Sequence, residues 1–132
     1  VYNDNRLLGT AKTTATASFG RDHPLFRAFA ELARLRTRTP ALTRGAQVLR
    51  ARGDAPGLLA LSRFDPDTGD EVLLAFNSST AAITRQVEIG TGATTAAMLA
   101  GKGCAPRVSA PGSITVTLPA LGYAVCALKA GR

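Results

Sequence analysis

The alternation of apolar and polar positions divides the chain into one helix followed by a series of short strands. From residue 25 to about residue 36, apolar side chains recur at the three- and four-residue spacing of a helix, with Arg and Glu on the opposite side. The apolar side includes Leu25, Phe29 and Leu32. Asp22 or His23 is expected to cap this stretch, with Pro24 in its first turn, and Pro40 is expected to end it. The pattern therefore predicts a packing helix with a broad apolar face.

After Pro40 the period becomes that of strands separated by turn residues. The predicted strands cover residues 46–52, 58–64, 71–77, 83–89, 94–99, 113–118 and 123–128. Val72–Phe76 is apolar at every position, which indicates a central strand covered on both faces. The sequence thus predicts a mainly β fold: an antiparallel Greek-key β-sandwich of about seven or eight strands, preceded by one amphipathic α-helix.

The composition is that of a globular protein. The chain has 132 residues, of which 45% are hydrophobic and 19% are charged, and no apolar run approaches the roughly 18 residues of a membrane span. We expect no membrane partner. Because the chain opens on Val1 rather than Met, we expect a processed chain or an excised piece of a longer one.

The net charge of +7 invites a nucleic-acid interpretation, which the distribution of charge weakens. The basic residues are spread along the chain, and few aromatic residues lie among them to stack on bases. We therefore expect a solvated basic surface and no nucleic-acid partner.

The single His and the two Cys limit the available chemistry. A zinc site needs three or four clustered ligands, which the sequence does not offer, so we expect no metal and no cofactor. Cys104 and Cys126 can form a disulfide if the protein is exported; a buried reduced thiol at Cys126 is the alternative. Asn77-Ser78-Ser79 fits the N-glycosylation pattern, and a turn after a strand explains it equally well.

Several runs carry a family resemblance. Asp22–Arg27, Leu32–Arg36 and Pro40–Leu42 resemble the last barrel helix of α-amylase family glycosidases, in a similar order and spacing. Glu71–Asn77 is similar to a strand of the β-sandwich that follows the barrel in that family, and Leu118–Val125 is similar to its closing element. The resemblance covers nearly the whole chain. Thr39 departs from it, since His often precedes Pro-Ala-Leu there, and so do the two Cys.

The resemblance implies a division of the chain and a role. Residues 1–40 would be the loop and last helix of a truncated (β/α)8 barrel, and residues 41–132 the C-terminal β-sandwich domain. The family is a retaining one, and its catalytic Asp, Glu and second Asp would lie upstream of Val1, so we expect no catalytic residue here. The implied partner is the catalytic barrel of the parent chain, and the parent alone would contact an α-glucan or α-glucoside.

The resemblance also implies site residues. The expected barrel-packing residues are Leu25, Phe29 and Leu32. A secondary expectation is that residues Tyr2, Asn3, Asp4 and Arg6 line an outer sugar subsite in the parent, with an ordinary connecting loop as the simpler interpretation.

Three questions stay open at this point. A stand-alone carbohydrate-binding or interaction β-sandwich module is the alternative function, although a chain with no Trp and two Tyr offers little for an aromatic sugar platform. An isolated piece with an exposed apolar face would be expected to form homodimers. The compartment is undecided between bacterial cytoplasm and periplasm or secretion.

Overall fold

The order of elements follows the sequence pattern closely. The computed structural model describes residues 22–130, in which helix α1 spans Pro24–Arg38 and a short helix α2 spans Pro40–Arg44. Seven strands follow: β1 (Ala46–Ala51), β2 (Leu58–Phe64), β3 (Glu71–Asn77), β4 (Ile83–Glu88), β5 (Ala93–Gly101), β6 (Ser113–Leu118) and β7 (Tyr123–Ala130). The expected mainly β fold behind one amphipathic helix is confirmed.

Helix α1 begins at a capped end. The imidazole Nδ1 of His23 accepts the Leu25 N–H at 3.2 Å, and the His23 carbonyl accepts the Arg27 N–H at 3.1 Å. The first bond satisfies a donor that the first turn of a helix leaves without an intrahelical partner, and the second is the first regular bond of the helix. Of the two predicted capping residues, His23 is the one whose side chain caps the helix.

The end of α1 differs in detail from the expectation. Helix α1 ends at Arg38, Thr39 is extended with φ −119° and ψ 97°, and Pro40 begins α2 rather than simply ending α1. A residue before proline is pushed into the extended region, while proline itself fits the first helical turn. The same Pro40 therefore ends one helix and starts the next, and only the first effect was predicted.

Two compact units divide the chain, Val1–Arg34 and Leu35–Arg132, and the division falls within α1. The second unit contains both sheets. A five-stranded sheet has the order β1-β2-β3-β7-β5, a two-stranded sheet pairs β4 with β6, and every pairing is antiparallel. Every successive connection between β3 and β7 passes from one sheet to the other. Strand β7 thereby returns to pair with β3, as in a Greek key.

The main core lies between the two sheets. Its buried members come from both of them: Ala60, Leu73, Ala75, Val87, Ile89, Ala93, Ile114, Val116, Leu118, Ala124, Cys126 and Leu128. Each fully buried Val, Leu or Ile side chain contributes roughly 1.5–3 kcal/mol to folding. This core accounts for the strict alternation of Ser113–Leu118, because β6 buries its apolar positions against the five-stranded sheet.

A second cluster lies on the other face of the five-stranded sheet. Leu35 and Ala41, which precede β1, pack there with Val72 of β3 and Val125 of β7, and all four are buried. Strand β3 thus has apolar cover on both faces, as its uninterrupted apolar sequence predicts. Burying Leu35 also fixes the last turn of α1, residues 35–38, within this unit.

A buried ion pair joins three strands at one end of the core. Arg50 of β1 donates from Nη2 to Glu71 Oε1 at 2.9 Å, and the Ser62 hydroxyl of β2 contacts the same oxygen. The other oxygen, Oε2, accepts the Gly90 N–H at 2.7 Å. A Cβ added at Gly90 would lie 2.8 Å from that oxygen, so the residue must be small for the bond to form. All of these donors and acceptors are paired, which makes the burial of the charges tolerable.

Removing the carboxylate should therefore be costly. We expect Glu71→Ala to lower the free energy of unfolding by about 3 kcal/mol, because it leaves the almost buried Arg50 guanidinium without its buried counter-charge and with only the exposed Glu88 beside it. The matched control is Glu88→Ala, which removes an exposed carboxylate 3.5 Å from the same guanidinium and should cost well under about 1 kcal/mol. Urea unfolding of both variants tests this; equal losses would contradict it.

Candidate functional site

The carboxylates of the Asp65–Asp70 turn are occupied in holding the fold. In the Asp65–Asp70 turn, Asp65 Oδ1 accepts the N–H groups of residues 67 and 68, Asp67 pairs with Arg44, and Asp70 lies 3.4 Å from Lys129 Nζ. These contacts give the turn its shape. Among residues 22–130, no group of three or more His, Cys, Asp or Glu side chains is arranged to hold a metal ion.

The apolar surfaces of the described residues are therefore the next candidates for a functional site. Within the described part of the chain, no helix is long and apolar enough to cross a membrane. Helix α1 nevertheless exposes large apolar side chains: Leu25 is 58% exposed and Phe29 is 65% exposed, with Phe26 between them also exposed. Leu32, one turn further on, is half-buried. Three large apolar side chains on one short stretch of helix form an exposed apolar patch, whose hydration is unfavourable.

A second apolar surface lies on the five-stranded sheet, on the face turned away from β4 and β6. Directly opposed residues on neighbouring strands share a face, so the register defines it. One row crosses all five strands, and a shorter row of Leu59, Phe76 and Tyr123 runs beside it. The first row consists of Leu49, Leu61, Leu74, Val125 and Ala100. We call these eight residues the outer face.

The outer face is only partly covered. Leu35 and α2 cover its centre around Val125, whereas Leu49 on β1 and Leu59 on β2 are exposed. Tyr123 is half-buried and stacks on Phe76, with ring centroids 6.5 Å apart. Such a ring is held against the sheet rather than presented as a platform.

A tight turn places one further apolar residue beyond the end of the outer face. Pro119–Gly122 forms a β-turn in which the Gly122 N–H donates to the Pro119 carbonyl at 3.1 Å. Leu121, at its third position, has φ +52° and is the only described non-glycine residue with a positive φ. That conformation costs an ordinary residue roughly 1–2 kcal/mol, and turns of this kind favour Gly or Asn there. The Leu121 side chain is 70% exposed, so burial within the described chain does not offset the cost.

Asn77 holds this turn in place. Its Nδ2 donates to the carbonyls of Pro119 at 2.9 Å and Ala81 at 2.7 Å, and its backbone N–H donates to Gly122 at 2.8 Å. Its Oδ1 accepts from the backbone and hydroxyl of Ser79. Asn77 is 3% exposed with both amide hydrogens used, so the structure favours the turn interpretation over glycosylation at this position.

The two cysteines meet across the core. Cys126 is buried in β7 of the five-stranded sheet, and Cys104 forms an isolated bridge with Val116 of β6 in the other sheet. The sulfurs are in contact and the Cα atoms lie 6.4 Å apart, a separation within the range of disulfides. A bond here ties one sheet to the other. The disulfide stays a prediction until thiols are counted.

An open cavity of about 440 Å³ lies beside the β1–β2 connection. Arg52, Asp54, Arg85 and Gln86 contribute its polar lining, and no aromatic residue is among the residues that form it. Sugar sites on sandwiches depend on aromatic platforms, so this cavity gives no support to a carbohydrate-binding module.

Comparison with known proteins places the chain. No protein-family model matches it. An α-amylase from Streptomyces lividans is 37% identical to it over 131 residues, which is 99% of this chain and 14% of that protein. The chain is similar to one segment of an α-amylase family protein. The resemblance that the sequence motifs indicate is thereby confirmed, and the chain spans about one seventh of the length of the relative that it matches.

Solved structures agree with this fold. A debranching enzyme from Nostoc punctiforme superposes with a TM-score of 0.63 at 23% identity, over 78% of this chain and 21% of its own. A trehalulose synthase from Pseudomonas mesoacidophila gives 0.58 at 21% identity, over 80% and 18%. An α-amylase from H. orenii gives 0.56 at 17% identity, over 80% and 20%. In each case the shared fold is about a fifth of a longer chain.

The structure does not test the predicted site residues. Tyr2, Asn3, Asp4 and Arg6 lie outside the described residues. Leu25 and Phe29 are exposed and Leu32 is half-buried, so the first two are free to pack on another surface; that they pack on a barrel stays a prediction. The boundary expected at residue 40 also stays a prediction. The outer face and Leu121 were missed.

The disulfide can be tested directly. If Cys104 and Cys126 are bonded, closing a loop of 22 residues stabilises the fold by about 3 kcal/mol, and a reductant should lower the unfolding free energy by that amount. The Cys104→Ala/Cys126→Ala variant should be insensitive to the reductant. Thiol titration of the denatured, unreduced protein should find no free thiol; two free thiols in protein recovered from an oxidising compartment would refute the pairing.

Proposed function

We propose that this chain is the C-terminal structural domain of an α-glucan-acting glycoside hydrolase or transglycosylase, where it packs on the catalytic barrel and stabilises it. The observation that carries the proposal is the alignment of 99% of this chain with only 14% of an α-amylase. A catalytic region would then lie in the remainder of the parent. The chain itself would contribute to carbohydrate metabolism only through that parent.

The apolar surfaces support a packing role. Leu25 and Phe29 on α1 are exposed in this chain, as are Leu49 and Leu59 of the outer face. Burying each such side chain against a partner stabilises the joined state by roughly 1.5–3 kcal/mol. A handful of them is therefore enough to hold a domain in place, and their exposure in the chain alone calls for a partner.

The carboxylates support the absence of catalysis in this part. Retaining glycosidases place two carboxyl groups about 5 Å apart around the scissile bond, one of them kept protonated by a desolvated site. The described carboxylate with almost complete burial is Glu71, whose oxygens are occupied by Arg50, Ser62 and Gly90. It is placed to stabilise the sheet and not to contact a sugar.

Reading the coding sequence upstream of Val1 is the first test. The proposal expects several hundred in-frame residues with alternating strands and helices and with Asp, Glu and Asp at strand ends. A start codon directly before Val1 would refute it. In that case saturable binding of the 132-residue chain to soluble starch would support the carbohydrate-binding alternative instead.

Substitution on α1 separates docking from folding. We expect Leu25→Ser/Phe29→Ser to lower the stability of the parent by about 3 kcal/mol, because two apolar side chains lose their burial at the join. The same change in the 132-residue chain should leave its unfolding midpoint nearly unchanged, since both side chains are exposed there. Thermal unfolding of both proteins provides the comparison.

Arg34→Ser, a polar change on the same helix, is the matched control and should have little effect in either protein. An equal loss in the 132-residue chain would mean that Leu25 and Phe29 belong to its own fold. No loss in either protein would mean that this helix does not dock.

A further inference from the structure

Leu121 carries two unfavourable features that the described chain does not offset. Its backbone is in the left-handed region at φ +52°, where Gly or Asn is favoured, and its large apolar side chain is 70% exposed. A glycine or asparagine in the same turn would relieve the backbone and remove the exposed apolar surface. A contact outside the described residues would account for both features at once.

The turn that presents Leu121 is held rigidly. Besides the Asn77 bonds to Pro119 and Gly122, the Leu121 N–H itself donates to the Ser79 carbonyl at 3.0 Å. The backbone of Leu121 is therefore held in a fixed position, and it has little conformational entropy left to lose on binding. Pre-organisation of this kind reduces the entropy cost of association.

The connections that hold the Leu121 turn carry no charged side chain. Three connections meet at this end of the sandwich, since Ser78 bonds to Gly57 through both its backbone and its hydroxyl, and Ser79 bonds to Leu121. Residues 55–58, 78–82 and 119–123 contain no charged side chain, in a chain whose net charge is +7. A neutral rim around a protruding leucine is complementary to an apolar recess in a protein surface and not to an anionic or strongly hydrated ligand.

We propose that Leu121 is a docking anchor, which inserts into an apolar recess on the catalytic part of the parent chain. This inference rests on the proposed function and extends it to a specific contact. We assign the recess to the catalytic part of the parent because 86% of the matched α-amylase lies outside the region of alignment. The turn is also continuous with the outer face, since Tyr123 of that face comes two residues after Leu121.

The experiment compares three variants in two proteins. Leu121→Asn and Leu121→Gly relieve the backbone and remove the apolar side chain, whereas Leu121→Met keeps an apolar side chain of similar size. In the 132-residue chain we expect Asn and Gly to leave the unfolding midpoint unchanged or raise it by about 2–5 °C. In the parent we expect them to lower the midpoint of the sandwich and to speed its proteolytic release about five-fold or more. Met should behave like the natural residue in both assays.

Three outcomes would overturn the inference. A lower midpoint for Asn and Gly in the 132-residue chain would mean that Leu121 supports the fold itself. No change in the parent would mean that Leu121 is only a turn residue. Loss of self-association by the 132-residue chain, with the parent unaffected, would identify a second copy of this chain as the occupant.

A change on the outer face distinguishes failure of this inference from failure of the proposed function. Leu59→Gln alters the outer face on β2, two strands away from Tyr123 in the row of Leu59, Phe76 and Tyr123. If the parent is destabilised by Leu59→Gln but not by Leu121→Asn, the domain docks and the anchor is refuted. If neither variant changes the parent, the docking role of the whole face is refuted.

Discussion

The apolar character of β3 on both faces is the constraint on which the rest of the fold depends. Such a strand must lie in the middle of a sheet that is covered on both faces. Leaving either face in water would lose the free energy gained by burying several apolar side chains. Strands β4 and β6 cover one face, and Leu35 with α2 covers the centre of the other. Since the second cover is narrow, the edges of the outer face at Leu49 and Leu59 stay exposed.

The polar contacts of this fold fix the relative positions of the strands more than they stabilise the folded state. Glu71 joins Arg50, Ser62 and Gly90, and Asn77 joins two connections to the end of β3. Both residues belong to β3, one at each end. The central strand thus fixes the register of its neighbours by buried hydrogen bonds at its two ends, while the apolar residues between them supply the core. A buried polar group of this kind destabilises the fold when any of its hydrogen bonds is left unmade.

Much of this arrangement could be predicted because local signals and tertiary contacts agree. Five-to-seven-residue alternations bounded by Gly, Pro and Asp gave strand limits within one or two residues, and the apolar run in β3 indicated its central place. Helix α2 could not be predicted in the same way, because five residues are too few to show a helical period. The outer face depends on register between strands far apart in sequence. The left-handed Leu121 is a backbone property that no spacing of residue types reveals.

The position of β7 has a consequence for synthesis. It is the last strand described, yet it lies inside the five-stranded sheet and is the only link between β3 and β5. A ribosome therefore releases β1, β2 and β3 long before the strand that connects them to β5 exists, and until then the inner edge of β3 offers unpaired N–H and C=O groups to any other chain. The nascent protein is thus most vulnerable to mispairing in the interval between the appearance of β3 and that of β7, and a chaperone that shields this edge would be needed only for that interval.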